Sequence, residues 1–150
     1  MIFKKYAKKG LGIYKDLKKI KTSSLKSISD EKAIKLVGFV KCFNEGKTGN
    51  LERCLKHLSK FCDDIVFCDD SSSDNSIEIA KKYTKNIIVM PDEFKKELYH
   101  KQKLLELSLS LNPDWIVSLD PDEIFDREGE LSGIRKLCNY GNKHNIDSFS

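Results

Sequence analysis

From Ile34 onward the chain passes through short, wholly apolar runs and longer stretches of helical periodicity in turn. The run Leu36-Val37-Gly38-Phe39-Val40, within Ile34 to Phe43, is continuous, as in a strand buried on both faces. Asn44 to Asn50 is polar with two glycines and predicts a loop. Leu51, Cys54, Leu55, Leu58 and Phe61 then recur at helical spacing. Ile65-Val66-Phe67-Cys68 predicts a second buried strand, ended by Asp69-Asp70-Ser71-Ser72-Ser73. Asn75 with Glu78 has the form of a capping box, opening a helix through Ile77, Ala80 and Tyr83. Asn86 to Met90 reads as a third strand stopped by Pro91. Phe94, Leu98, Leu104 or Leu105, and Leu109 predict a longer helix reaching Asn112-Pro113. Trp115 to Leu119 is a fourth strand, ending in Asp120-Pro121-Asp122-Glu123, and a further strand begins within Ile146 to Ser150.

The order β-α-β-α-β-α-β calls for an α/β fold, a mostly parallel sheet with helices on both faces. In such sheets ligands sit at the carboxyl ends of the strands. Those ends carry Asn44-Glu45, Asp69-Asp70 and Asp120/Asp122. Any one cluster is explained as well by a turn in which Asp and Ser satisfy backbone groups. Three at three strand ends point to a site.

Residues 1–30 read as a separate basic arm and linker. They hold nine lysines against Asp16 and Asp30, a net of +7, while residues 31–150 carry 18 basic against 21 acidic side chains, a net of −3. The body lacks the clustered cations of a nucleic-acid-binding surface. Phe3, Tyr6, Ile13, Leu17 and Ile20 fall on one helical stripe among the lysines, so residues 1–21 are a candidate for peripheral contact with an anionic membrane. A leader in solvent or a segment packed on another part of the protein would show the same stripe. No apolar run spans a bilayer, and none of signal-peptide length follows the basic start. The five cysteines are odd in number and form no CxxC pair, which suits free thiols in a reducing compartment. Together these lead to the expectation of a cytoplasmic chain, with peripheral contact at the inner face of the membrane as one of the readings open for the arm.

Two carboxylates one residue apart after a buried strand, Asp120 and Asp122, can share a divalent cation, or divide a metal and a neighbouring hydroxyl between them. Mg2+ and Mn2+ take few carboxylates and complete an octahedron with phosphate oxygens and water, which suits a diphosphate ligand. An EF-hand is excluded because Ile124 stands where an oxygen ligand is required. Asp69 or Asp70 can accept hydrogen bonds from a base imide or a ribose. Lys95, Lys96, Lys101 and Lys103 precede the fourth strand, where one could face phosphate and most would face solvent.

Lys41-Cys42-Phe43-Asn44-Glu45, Val66 to Ser76 and Asp114 to Glu123 together resemble glycosyltransferase family 2, of the GT-A (Rossmann-like) fold. That family shows an Asn-Glu after its first strand, an Asp-Asp-x-Ser-x-Asp-x-Thr/Ser turn after its second and a DxD after its fourth. All three occur here in order over residues 34–130. The form Asp-Trp-x-x-x-Leu-Asp-x-Asp-Glu is most similar to bacterial members that build lipopolysaccharide cores and other cell-surface glycans. The resemblance implies an inverting transfer of a sugar from a nucleoside diphosphate to a hydroxyl of a glycan, lipid-linked or protein acceptor. It places Phe43 and Glu45 beside the base, Asp70 on the base with Asp69 in support, Asp120 near the ribose, and Asp122 on an Mn2+ or Mg2+ ion bridging the diphosphate. Lys103, after Gln102, matches a Gln-Lys set near the phosphates in some relatives.

The family's general base and acceptor-binding half lie further along the chain. Residues 31–150 are therefore expected to be the nucleotide-sugar-binding half of a longer, truncated enzyme, with the sheet incomplete and one edge unpaired, the base beyond Ser150 and this piece alone inactive. Glu123 and Asp126 are expected to serve the DxD turn. Two other readings stand beside this one. The chain could be a non-catalytic nucleotide-sugar-binding remnant or partner domain. Ile116 to Phe125 also resembles the haloacid dehalogenase phosphatase motif, in which Asp120 would be the nucleophile and Asp122 the general acid; there the motif opens the domain, whereas here it follows a fourth strand.

Overall fold

The apolar run after Ile34 forms the strand on which the sheet is built. The computed structural model describes residues 2–4, 33–91, 97–125 and 131–149. The elements are β1 (Ile2–Lys4), β2 (Leu36–Cys42), α1 (Asn50–Leu58), β3 (Asp64–Asp69), α2 (Ser76–Ala80), β4 (Asn86–Val89), α3 (Glu97–Ser110), β5 (Trp115–Ser118), α4 (Leu131–His144) and β6 (Ser148–Phe149). The sheet order is β4-β3-β2-β5-β1-β6. Strands β4, β3, β2 and β5 run parallel, as the alternation of strands and helices requires. This is the α/β architecture of the GT-A fold.

Strand β2 is hydrogen-bonded on both edges, with Phe39 opposite Val66 of β3 and Ser118 of β5. Its alternate side chains divide the core in two. Leu36, Val40 and Cys42 meet Leu51, Leu55 and Leu58 of α1, Ala80 of α2 and Cys138 of α4 within one buried cluster. Val37 and Phe39 face the other way, into the cluster that holds Leu104 of α3. Right-handed crossovers account for this division. The chain steps from β2 to β3 to β4 with α1 and α2 on one face, then returns past β2 to β5 with α3 on the other.

Three local expectations change. Leu98 is 67% exposed, and the buried positions of α3 are His100, Leu104 and Ser108, spaced by four. The Ser108 hydroxyl is satisfied by donating to the Leu104 carbonyl at 2.7 Å, so a polar residue occupies the stripe at little cost. Asn75 is the N-cap of α2 but its side chain makes no capping bond; Asp74 Oδ1 accepts from Ser76 N–H at 3.0 Å instead. Phe3, the start of the expected helical stripe, lies in strand β1, while Tyr6, Ile13, Leu17 and Ile20 lie outside the described residues.

The edge beside β5 is filled, and among the described residues the sheet ends at β6. Strand β1 runs antiparallel to β5 with Ile2 opposite Val117, and β6 pairs with β1 through Phe149 opposite Ile2. Helix α4, where the apolar pattern assigned no element, covers this end. The fully buried Trp115 donates its indole N–H to Asn142 Oδ1 at 3.3 Å and stacks on Phe149 with ring centroids 5.5 Å apart. Arg135 of α4 donates to the carbonyls of Ile34 and Phe61 at 2.7 and 3.0 Å and to Asp63 Oδ1 at 2.9 Å, which ties α4 to the amino ends of the strands.

Gly141 lets α4 approach this indole. A Cβ there would sit 2.8 Å from Trp115 Cη2 and 3.0 Å from Phe149 Cε2. Replacing a mid-helix Gly by Ala ordinarily gains about 1 kcal/mol, whereas overpacking against a fixed ring costs roughly 1–3 kcal/mol. Gly141→Ala is therefore expected to lower the thermal midpoint. A melt showing a higher midpoint would contradict this packing.

Candidate functional site

The strand register sets three loops side by side. Cys42 is level with Asp69, and Asp70 N–H continues the ladder by donating to the Cys42 carbonyl at 2.9 Å. On the other edge β5 ends at Ser118, level with Phe39, and Leu119 N–H reaches the Phe39 carbonyl at 3.2 Å. The turn from Asp120 thus leaves β5 beside the last residues of β2. The winding of the sheet reverses at β2, so this is the crevice in which doubly wound folds bind ligands.

The loops after β2 and β3 are stitched together by the acidic and hydroxyl residues of the motif. Asn44, with φ of 54° in the left-handed region that Asn tolerates, donates its N–H to Ser72 Oγ at 2.8 Å. Its Oδ1 accepts from Ser73 N–H at 2.8 Å. Glu45 N–H donates to Ser76 Oγ at 3.1 Å and Gly46 N–H to Asp74 Oδ2 at 2.8 Å. A Cβ on Gly46 would sit 2.8 Å from the Ser76 backbone nitrogen and 3.0 Å from the Asn75 carbonyl carbon, so glycine is required for this contact. Asp74, Ser72 and Ser76 thus serve the loops themselves. Phe43, whose ring is partly exposed, lies directly before this stitching. Glu45 Oε2 accepts from the Thr48 hydroxyl at 2.8 Å.

Asp69 and Asp70 point to opposite faces of the sheet, as neighbours in a strand must. Both are buried. Asp69 Oδ2 accepts from Ser72 N–H at 2.8 Å. Asp70 Oδ2 accepts from Lys41 Nζ at 2.8 Å, and Asp70 Oδ1 lies 2.9 Å from His100 Nδ1. That last pair is within ion-pair distance. Among the described residues, the buried side-chain polar atoms without a hydrogen-bond partner are Asp69 Oδ1, Asp70 Oδ1 and His100 Nδ1. Asp70 Oδ1 and His100 Nδ1 lie on one face of the sheet at the carboxyl end of β3, and Asp69 Oδ1 on the other. Asp70 Oδ1 and His100 Nδ1 face each other as a close pair, which leaves Asp69 Oδ1 as the buried oxygen with neither a hydrogen bond nor an ion pair among the described residues.

Asp120 to Glu123 form a turn in which Glu123 N–H donates to the Asp120 carbonyl at 2.9 Å and Glu123 Oε2 accepts from Asp120 N–H at 3.0 Å. Glu123 is therefore a turn residue, as expected. Helix α1 buttresses the turn, with Cys54 Sγ 3.6 Å from the Asp120 carbonyl and Arg53 Nη2 3.4 Å from that of Asp122. The two Asp side chains are exposed, and among the described residues their carboxylates hold no hydrogen bond. No three His, Cys, Asp or Glu side chains converge on one point among the described residues. The donor set is too small for a protein-only cage, yet it is what a hydrated Mg2+ or Mn2+ sharing its shell with phosphate uses.

The family model described as glycosyl transferase family 2 matches residues 39–149, which takes in all three loops. The chain belongs to glycosyltransferase family 2. Among curated proteins it is similar to the SPbeta prophage-derived glycosyltransferase SunS of Bacillus subtilis (strain 168) and to glycosyltransferase SunS of Bacillus phage SPbeta, 22% identical to each over 101 residues. That stretch is 65% of this chain and 23% of each relative. Membership favours glycosyl transfer over the phosphatase reading of Asp120 and Asp122.

Within this family 2 chain, Lys103 lies one turn beyond His100, with Nζ 2.7 Å from Glu106 Oε2 and 5.6 Å from the centre of the Tyr99 ring. Lys101 pairs with Glu97 at 2.7 Å, and Lys95 and Lys96 lie outside the described residues. Sequence reasoning passed over Lys41 and His100. The signal for His100 was its four-residue spacing from Leu104, hidden because Ser108 continues the same stripe. All five cysteines are free. Burial pushes the Cys42 thiol up to about 11 and those of Cys54, Cys68 and Cys138 to about 12, so none of these four is an activated nucleophile.

The Ser76 hydroxyl, followed by the N–H groups of Ser76 and Gly46, holds the Asp74 carboxyl below the usual aspartate range. A carboxyl lowered in the folded state stabilises the fold at neutral pH, and that stabilisation disappears as pH falls through the lowered value. Asp74→Ala is expected to cost about 1 kcal/mol at pH 7, less than a fully buried charged pair because solvent screens the group. Urea titrations should show the gap between wild type and variant closing below about pH 4. A pH-independent gap would contradict the role of the ionised carboxylate.

Proposed function

We propose that residues 31–150 are the donor-binding half of a glycosyltransferase that moves a sugar from a nucleoside diphosphate to an acceptor hydroxyl, with inversion at the anomeric carbon. One observation carries the reading: a buried, under-partnered Asp70 and an exposed Asp120/Asp122 turn end strands on either side of β2, at the crevice where the winding reverses. Family membership supports glycosyl transfer as the reaction.

In this reading Asp70 accepts a hydrogen bond from the base, Asp69 supports it from the other face of the strand, and Phe43 and Glu45 border the base. Asp120 approaches the ribose. Asp122 holds an Mn2+ or Mg2+ ion, which when bound supplies positive charge to the departing diphosphate. Lys103 would have to leave Glu106 to reach phosphate, which makes it the weakest of the assignments. No general base is assigned within residues 1–150: Glu123 is engaged in its own turn, and Asp126 and Glu128 lie outside the described residues. The acceptor is a hydroxyl of a glycan, a lipid-linked sugar or a protein, and cell-surface glycan assembly in the cytoplasm is the setting. No helix among the described residues is long and apolar enough to cross a membrane. Of the basic arm, residues 1–21, Ile2–Lys4 belong to the sheet as β1, and the lysine-rich remainder is assigned to peripheral contact with an anionic inner membrane face.

Calorimetric titration tests the donor site. A nucleoside diphosphate is expected to bind more tightly with Mn2+ than with EDTA. Asp122→Ala should abolish that difference, and Asp70→Ala should weaken binding by about tenfold even without metal, the value of one hydrogen bond to a charged group. Equal affinity with Mn2+ and EDTA would remove Asp122 from a metal role.

Incubation of the 150-residue chain with nucleotide sugars and mixed acceptors is expected to give slow donor hydrolysis and no glycoside. Positioning an acceptor and supplying a base are worth several powers of ten between them. Robust glycoside formation would place the base within this chain; neither hydrolysis nor transfer, with binding intact, would favour a nucleotide-sugar-binding remnant.

A further inference from the structure

The geometry points to His100 as a positioning residue for Asp70, one that holds the carboxylate ready to accept the ring N–H of the donor's nucleobase; this rests on the donor-binding reading above. The Asp70 side chain is 4% exposed, and a carboxylate so buried is costly unless its oxygens are compensated. Two basic side chains flank it, one on each oxygen, and they differ in kind. Lys41 reaches Oδ2 from the neighbouring strand with a flexible side chain that is 20% exposed. His100 stands beside Oδ1 at 2.9 Å, itself 1% exposed, on the first turn of a helix anchored through Leu104 into the sheet.

The imidazole therefore keeps its place through packing between helix and sheet, whereas Lys41 can swing. His100 fixes one side of the carboxylate from 2.9 Å while occupying at most one lone pair of Oδ1. An ionised carboxylate has about four lone-pair sites, and Lys41 uses one of them. Acceptor capacity stays on Oδ1, in an orientation set by α3. Without the imidazole, Oδ1 loses its basic neighbour among the described residues, and the carboxylate turns toward Lys41. A base with a ring N–H donor would then lose its acceptor, while the diphosphate would not.

The test uses the 150-residue chain with Mn2+ and compares UDP and GDP, whose bases carry a ring N–H, with inorganic pyrophosphate, which has no base. His100→Leu is expected to weaken the better-bound nucleotide by about tenfold, the value of one hydrogen bond to a charged group, with pyrophosphate binding unchanged. His100→Asn, whose amide nitrogen can stand in for Nδ1, should restore nucleotide affinity. In an Asp70→Asn background, His100→Leu should cost nothing further. Unchanged nucleotide affinity in His100→Leu overturns the inference, as does a loss shared equally with pyrophosphate or one that persists undiminished without the Asp70 carboxylate. Should His100→Leu fail to fold, a folded His100→Asn that binds nucleotide as weakly as Asp70→Asn overturns it. Absence of UDP and GDP binding in the wild type would instead sink the donor-binding reading itself.

Discussion

Strand β2 is the constraint on which the rest of the molecule is arranged. It is paired on both edges and covered on both faces, by α1, α2 and α4 on one side and α3 on the other. A strand in that position has to be apolar throughout, and Leu36 to Val40 meets the requirement. Because crossovers are right-handed, building outward to β3 and β4 and then returning to β5 must put α3 on the face opposite α1 and α2. The same return opens the crevice at the carboxyl end of β2. The location of the site is thus a consequence of how the sheet is wound.

Within that crevice, acidic and hydroxyl residues do two different jobs. Asp74, Ser72, Ser76 and the Asn44 amide lock the loop after β2 onto the loop after β3, with Gly46 permitting the close approach. These are structural bonds, and most of the motif is of this kind. Asp70 differs because its partners are basic side chains from two other elements and one of its oxygens lacks a hydrogen bond. The Asp120–Glu123 turn differs again, since Glu123 closes it internally and turns both Asp side chains out to solvent. One crevice therefore holds a dry acceptor on one side of β2 and wet carboxylates on the other. That pairing suits a ligand with a flat base at one end and a charged diphosphate at the other.

The far side of the sheet shows how the edge beside β5 is managed. An open parallel edge is a template for pairing with other chains. Here β1 and β6 occupy it, and α4 closes over the Trp115–Phe149 stack with Gly141 against the indole. The chain's beginning is thereby built into the same sheet as its last described strand. A cavity of about 360 Å³ bordered by Cys62, Asp63, Tyr83 and Asn86 lies at the amino ends of β3 and β4, opposite the crevice. Its Asp63 and Asn86 side chains are already hydrogen-bonded within the protein.

The alternation of strands and helices, the parallel core, the three loop clusters and the family were all determined by the sequence alone. Each rests on local information: apolar runs, helical spacing, or motif residues within a few positions of one another. What depended on distant pairing was decided only by the tertiary structure. Ile2–Lys4 is too short to announce itself as a strand and becomes one by pairing with Trp115 to Val117. Leu98 satisfies the helical spacing yet faces solvent, because the turn that meets the sheet is set by His100, Leu104 and Ser108. Nothing local marks that histidine and serine as buried until Asp70 and the Leu104 carbonyl are brought to them. A polar side chain is buried when a partner waits at the burial site, and that partner can lie anywhere in the chain.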